Sequence, residues 1–262
     1  MQPILIDTHA HLYAEQFDND RDAMLKRADT EGVKKIFLPA IDSETHAAML
    51  ALEASDPTRY VAMMGLHPCS VATDFEVELS VVEQYLADRP FCAIGEIGMD
   101  LYWDKTFVAQ QKTAFLQQMR WAQDLGIPII IHSREATDLI INILQENSWF
   151  TEGGILHCFT GDVAQANKLI DLNFSLGIGG VATYKNGGLE PVLKDIDLKY
   201  LVLETDAPYL APVPFRGKRN ESSYIKHVAQ KISDAKGIDF QEVARQTTLN
   251  AERIFSKSSR GF

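Results

Sequence analysis

A single (β/α)8 barrel is the fold this sequence predicts, and three observations predict it. Eight short β-branched or apolar runs recur about every 28 residues between Ile4 and Tyr200, the length of one strand-plus-helix unit. Between them lie longer stretches with apolar residues at helical spacing. The 262 residues also suit one barrel of ~250 residues. The expected unit is residues 1–262 as one domain, since no Gly/Ser run, Pro-rich tract or charge block offers a linker.

The strands are expected to begin near Ile4, Lys34, Tyr60, Phe91, Pro128, Gly154, Phe174 and Tyr200. A helix is read from Asp20 to Thr30, with Ala23, Leu25 and Ala28 apolar, and the longest runs from Phe107 to Leu125, with Phe115, Met119 and Ala122 on one face. Gly32 and Gly126 each follow a helix and precede an apolar run, the pattern of a glycine C-cap. The stretch from Glu221 to Phe255 reads as two helices split at Lys236-Gly237, with Asp239 capping the second. An open doubly wound sheet is the alternative. Its glycine fingerprint is missing from the first turn, where Asp7-Thr8-His9-Ala10-His11 stands instead.

A 46% apolar and 23% charged composition excludes a disordered or collagen-like chain. No apolar run approaches the ~18 residues of a membrane span, and the first residues carry no secretory signal. Three widely spaced cysteines, Cys69, Cys92 and Cys158, fit a reducing cytosol, so a cytoplasmic location with no membrane association is expected. A net charge of −11 argues against coating duplex nucleic acid through a broad basic face.

In a barrel enzyme the chemistry sits at strand C-termini and in the loops after them. His9 and His11 are expected to close the first strand, His67 the third, Glu96 the fourth, His132 the fifth, His157 the sixth and Asp206 the eighth. That uses five of the seven histidines, leaving His46 and His227 on helices. The i, i+2 spacing of His9 and His11 points both rings into the barrel mouth. Taken singly, His132 and His157 suit hydrogen-bonded core histidines, Asp7 either a carboxylate supporting the ligands from behind or a buried strand-end one, Glu96 the partner of an arginine, and Asp206 a turn residue. Taken jointly, four histidines, a Glu and an Asp at one face match the N/O ligand set of zinc, manganese or magnesium hydrolases. Glu204 shares the face of Asp206, and Cys158 reads as a packed thiol.

These motifs resemble a known family. Asp7-Thr8-His9-Ala10-His11, Gly65-Leu66-His67-Pro68, Gly95-Glu96-Ile97-Gly98-Met99-Asp100, His132-Ser133-Arg134, Leu156-His157-Cys158-Phe159-Thr160-Gly161 and Glu204-Thr205-Asp206-Ala207-Pro208-Tyr209 look like the TatD metal-dependent deoxyribonucleases, in order and along essentially the whole chain. The resemblance implies a (β/α)8 barrel with two divalent ions, Mg2+, Mn2+ or Zn2+. It places His9, His11, Glu96 and Asp206 on one ion, and Glu96, His132 and His157 on the other. The sequence departs from the family pattern at Met99, where Leu is usual, and at Ser222, where Pro usually follows Arg219-Asn220-Glu221.

The expected activity is hydrolysis of nucleic-acid phosphodiesters, trimming short single-stranded DNA ends; the alternative is a carbonyl substrate such as an amide, lactone or aminoacyl ester. Asp206 is assigned to orienting or deprotonating water. His67 and Arg134 are assigned to phosphate oxygens, Arg134 having a salt bridge to Asp100 or Glu135 as its other reading. The basic loop with Arg216, Lys218 and Arg219 reads as a phosphate-facing lip or a solvated loop, and Tyr209, Phe215 or Trp103 as base-stacking or packing residues. No oligomeric state is indicated.

Overall fold

The computed structural model describes residues 3–256. Among them are eight strands: β1 (Leu5–Asp7), β2 (Val33–Leu38), β3 (Tyr60–Ala62), β4 (Ile94–Asp100), β5 (Ile129–Arg134), β6 (Gly154–Leu156), β7 (Phe174–Ile178) and β8 (Leu201–Leu203). Neighbours in sequence pair in parallel, β1-β2-β3 in one ladder and β4 through β8 in a second. The ladders join at both edges. A Met64–Ile94 bridge and the Gly95 N–H to Met64 carbonyl bond (3.0 Å) link β3 to β4. An Ala10–Ala207 bridge and the Thr8 N–H to Leu203 carbonyl bond (3.0 Å) link β8 to β1. Crossovers are made by α1 (Arg21–Thr30), α2 (Ser43–Ser55), α3 (Phe75–Asp88), α4 (Val108–Leu125), α5 (Thr137–Glu146), α6 (Val163–Asp171) and α7 (Glu190–Asp195). After β8 come α8 (Ile225–Lys236) and α9 (Phe240–Phe255). This is the (β/α)8 barrel expected from the sequence.

Local departures have physical reasons. Phe91 to Ala93 are buried, but the ladder begins only at Ile94, which pairs with Ile129. The eighth strand starts at Leu201 because Leu198–Tyr200 form a 3-10 turn capped by the Asp197 carboxylate, which accepts from Lys199 N–H. Asp20 stands at the N-cap of α1 without making the capping bond, since its carboxylate is taken by Arg219 and Arg27. Gly126 ends α4 and Gly237 ends α8, each in the left-handed region, while Asp239 caps α9 through Gln241 N–H.

The barrel interior is apolar at its lower end. Ile6, Phe37, Val61, Ile130, Ile155 and Val202 meet there with Ala251, Ile254 and Phe255 of α9, the Phe37 and Phe255 rings stacked 3.7 Å apart. Two residues on, the same inward-facing rows reach His132 above Ile130, His157 above Ile155 and Glu204 above Val202. No helix among the described residues is long and apolar enough to cross a membrane.

Candidate metal centre

The site is built by short backbone bonds between strand ends. Asp206 N–H donates to the His9 carbonyl (2.9 Å) and His11 N–H to the Ala207 carbonyl (2.7 Å), so the segments after β1 and β8 run side by side. Asp206 occupies the left-handed region at φ 56°, which Asp tolerates better than most residues. Glu96 lies within β4 rather than at its end. The register of β4 on β5 shifts between Gly95 and Ile97, and Glu96 N–H donates instead to the Ala40 carbonyl (3.2 Å). Such a bulge re-aims a side chain, here into the barrel. Gly98, at φ 137°, allows this approach, because a Cβ there would meet the His132 carbonyl oxygen at 2.2 Å.

The Glu96 carboxylate is buried and divides the surrounding donors between its two oxygens. Oε2 faces His9 Nε2 at 3.0 Å and His11 Nε2 at 3.5 Å, and these two nitrogens lie 3.7 and 3.6 Å from Asp206 Oδ1. Oε1 faces His157 Nε2 at 2.8 Å, His132 Nδ1 at 2.9 Å and His67 Nε2 at 3.3 Å. The structure therefore gathers five candidate histidines around the Glu96 carboxylate, with Asp206 against two of them. Burial pushes the Glu96 carboxyl upward, but His157, His9 and His67 outweigh it and hold the group well below the usual carboxylate range.

Hydrogen bonds behind two of the rings orient them. The Tyr13 hydroxyl donates to the Pro39 carbonyl (2.6 Å), so it accepts from His11 Nδ1 (3.0 Å) and turns Nε2 toward Glu96 and Asp206. His132 is held between two carboxylates, with Nε2 2.9 Å from Asp100 Oδ2 and Nδ1 2.9 Å from Glu96 Oε1. His157 Nδ1 looks toward Glu204 Oε1 at 3.6 Å, and that oxygen also accepts from Cys158 N–H (2.5 Å). Both the His9 Nε2 and Glu96 Oε2 atoms are buried without a hydrogen-bond partner. Against the lowering effect of burial, the surrounding carboxylates raise His11 to about 9 and lift His132 and His157 above the usual histidine value. The protons these rings turn toward Glu96 and Asp206 mark places a cation would take, and this N/O set suits divalent ions. His67 differs. Its Nδ1 accepts from Cys69 N–H (3.0 Å), so the neutral ring carries its proton on Nε2 and acts as a donor. Burial lowers its pKa, which keeps that neutral form. The same bond argues against a metal at the His67, Cys69 and His132 cluster, although its donor atoms lie within 4.8 Å of one another.

Tyr13, Asp100 and Glu204 were not assigned these roles by the sequence reading. Asp7 turns away from the ligands: it accepts from Thr205 N–H (3.0 Å), Thr205 Oγ1 (2.6 Å) and Ser222 Oγ (2.6 Å), fastening β1 to the segments after β8. Burial raises its carboxyl to about 7 against the lowering effect of these bonds. The serine at the position where the family usually has proline is thus one of its donors. Cys158 remains a thiol, its pKa pushed well up by burial.

A cavity of about 530 Å3 opens over the centre, with Trp103, Arg134, Tyr209 and Leu210 at its rim. The Arg134 guanidinium stacks over Tyr102 (4.0 Å) and Trp103 (5.2 Å); among the described residues it makes no salt bridge to Asp100 or Glu135. The basic loop does not reach this cavity. Arg216 lies over the Tyr184 ring (4.3 Å), Arg219 grips Asp20 through two bonds (2.7 and 2.8 Å), and Lys218 and Arg219 line a different groove. His46 lies buried on α2 against Tyr85, and His227 on α8, as expected.

Comparison with known proteins agrees with this architecture. The sequence profile of the TatD related DNase family matches residues 6–256. The uncharacterized metal-dependent hydrolase YabD of Bacillus subtilis is 41% identical over 254 residues, covering 96% of this chain and 99% of that protein. The 3'-5' ssDNA/RNA exonuclease TatD of Erwinia tasmaniensis is 32% identical over 259 residues, covering 96% and 100%. The crystal structure of the TatD homologue YjjV from Escherichia coli superposes with a TM-score of 0.90 at 31% identity, covering 98% and 99%. With a barrel whose mouth gathers a glutamate, histidines and an aspartate, the chain belongs to the TatD related DNase family and is a metal-dependent hydrolase.

Proposed function

We propose that the whole chain acts as one barrel that hydrolyses nucleic-acid phosphodiesters at single-stranded ends, using two divalent ions. The observation that carries the reading is the division of donors about Glu96, with His9, His11 and Asp206 at one oxygen and His132 and His157 at the other. In this reading His9, His11 and Asp206 would hold one ion and His132 and His157 the other, with the Glu96 carboxylate available to both groups. When bound, such ions supply Lewis-acid stabilisation of phosphoryl charge and lower the pKa of water.

The chain's own groups do the rest. Asp206 stays ionised, because hydrogen bonding to His11 and the charges of His157 and His9 outweigh its burial. Its carboxylate accepts the proton of the attacking water. His67 offers Nε2–H to a non-bridging phosphate oxygen, and Arg134, beside the Tyr102 and Trp103 rings, offers its planar fork to a second. Trp103 and Tyr209, 69% and 48% exposed at the rim, suit stacking on the terminal bases. The relative named as a 3'-5' ssDNA/RNA exonuclease supports a single-stranded substrate, and the free cysteines suit a cytoplasmic setting.

The test is turnover by the metal-loaded protein of end-labelled single-stranded oligonucleotides against a panel of esters, lactones and amides. Stepwise shortening of the oligonucleotide is expected. Turnover confined to the carbonyl panel would overturn the reading.

A further inference from the structure

A second groove, of about 800 Å3, lies between α1, the start of α8 and the loop after β8. On a chain of net charge −11, five Lys or Arg side chains line it against two carboxylates, Glu31 and Glu221. Three of the five are already paired: Arg27 with Glu221 (2.6 Å), Lys226 with Glu31 (2.7 Å) and Arg219 with Asp20 (2.7 Å). Lys26 and Lys218 are exposed and have no carboxylate partner among the described residues. Beside them Phe215 and Tyr224 stack 3.9 Å apart and nearly parallel, with His227 edge-on to Phe215 at 5.5 Å.

The groove and the metal centre share one loop. Tyr209 and Leu210 face the metal cavity, while Phe215 and Lys218 face the groove. Asn220 holds the loop in place by donating to the Thr205 and Tyr209 carbonyls, both at 2.7 Å. Unpaired ammonium groups beside an aromatic face are the composition that tracks single-stranded nucleic acid, charge for the phosphates and a π-face for the bases. We infer that this groove is an accessory site for the body of a single strand whose end lies at the metal centre. An acidic peptide would use the charge but has no need of the Phe215–Tyr224 face. The inference rests on the nuclease reading, and it gives Lys218 a place further along the strand than the reacting phosphate.

The experiment measures binding of fluorescein-labelled oligodeoxynucleotides of three and twelve nucleotides to the metal-loaded Asp206→Asn protein over a salt series. The twelve-mer is expected to bind at least ~10-fold tighter than the trimer. Lys26→Glu with Lys218→Glu should remove that advantage and flatten the twelve-mer's salt dependence by about 1.4 units of log K per log salt, at ~0.7 for each of two phosphates. Tyr224→Leu should weaken the twelve-mer about fivefold with the salt slope unchanged. Both lysines are exposed, and a circular dichroism spectrum like the parent's shows that the double variant is folded. A double variant that keeps the parent's affinity and slope overturns the inference, as does polyglutamate binding as tightly as the twelve-mer and lost in the same variant. Cleavage of the trimer by the wild-type holoenzyme is read separately. Its absence would sink the nuclease reading, whereas a flat response to the lysine changes sinks only the groove.

Discussion

The two ends of the barrel interior are made by the same strands and by opposite chemistry. At the lower end Ile130, Ile155 and Val202 pack with Phe37 under the cap formed by Ile254 and Phe255. One two-residue step further, the same rows present His132, His157 and Glu204 to a buried cluster of imidazoles and carboxylates. The lower end gains stability from apolar burial. The upper end concentrates buried carboxylates and imidazoles that a folded chain would not assemble for stability alone. The floor therefore holds rigid what the mouth leaves poised to react.

If that division is right, changes at the mouth cost activity and changes at the floor cost stability. The largest effect is expected for Asp206→Asn, which keeps the volume and removes the charge that takes the proton. Its kcat should fall roughly 10²–10⁴-fold with thermal unfolding close to wild type. Steady-state rates beside a melting curve check this, and an unchanged kcat at normal metal content would remove Asp206 from the chemistry. At the floor, Phe255→Ala empties a fully buried ring position stacked on Phe37. A loss of about 3–5 kcal/mol in urea unfolding is expected, with kcat of the folded fraction retained. A large drop in kcat without loss of stability would break the comparison.

Subtler changes sharpen it. Glu204→Gln removes the charge behind His157 Nδ1, and outer partners of this kind typically tune metal affinity by ~10–100-fold. Metal titration should show weakened loading, with kcat largely recovered at saturating metal; unchanged affinity would mean that Glu204 serves only Cys158 N–H. The reconstituted protein should hold two ions per chain, and full activity at one ion would contradict the bridged arrangement. His46→Ala, inside α2 and against Tyr85, should lower stability and leave kcat alone, since His46 belongs to packing outside the mouth.

The candidate ligands were legible because each stands near the end of an apolar run, where a polar side chain lacks a packing reason. Their positions were less so. Glu96 was expected at a strand end, but it sits at a bulge within β4, and bulges leave little trace in an alternation pattern. Two of the groups behind the rings, Asp100 and Glu204, were hidden because they act across the chain, whereas Tyr13 stands two residues from His11. Asp100 and His132 are 32 residues apart, and Glu204 lies 46 residues from Cys158 and 47 from His157. The basic loop was visible as charge, but its direction was not. Asp20, 199 residues earlier in the chain, captures Arg219 and draws that side chain away from the metal cavity.

That capture gives the smallest effect and the one with a definite pH sign. The hydrogen bond from Arg219, followed in size by the opposing burial and the bond from Arg27, lowers the Asp20 carboxyl from 3.8 to about 2. A carboxylate whose pKa is depressed by folding stabilises the fold above its unfolded pKa and loses that contribution as pH falls through the folded value. The window therefore runs from about pH 4 down to about pH 2. About a third of each side chain in the pair is exposed, so solvent screening keeps the contribution within ~1 kcal/mol. Asp20→Asn isolates the charge, because asparagine serves equally at a helix N-cap. Urea unfolding at pH 6 should show the variant slightly weaker than wild type, and the gap should narrow as pH falls below about 4 and close only below about pH 2. A gap that persists at the lower pH would mean that Asp20 acts through packing and capping at the head of α1, and that the ion pair does not hold the loop.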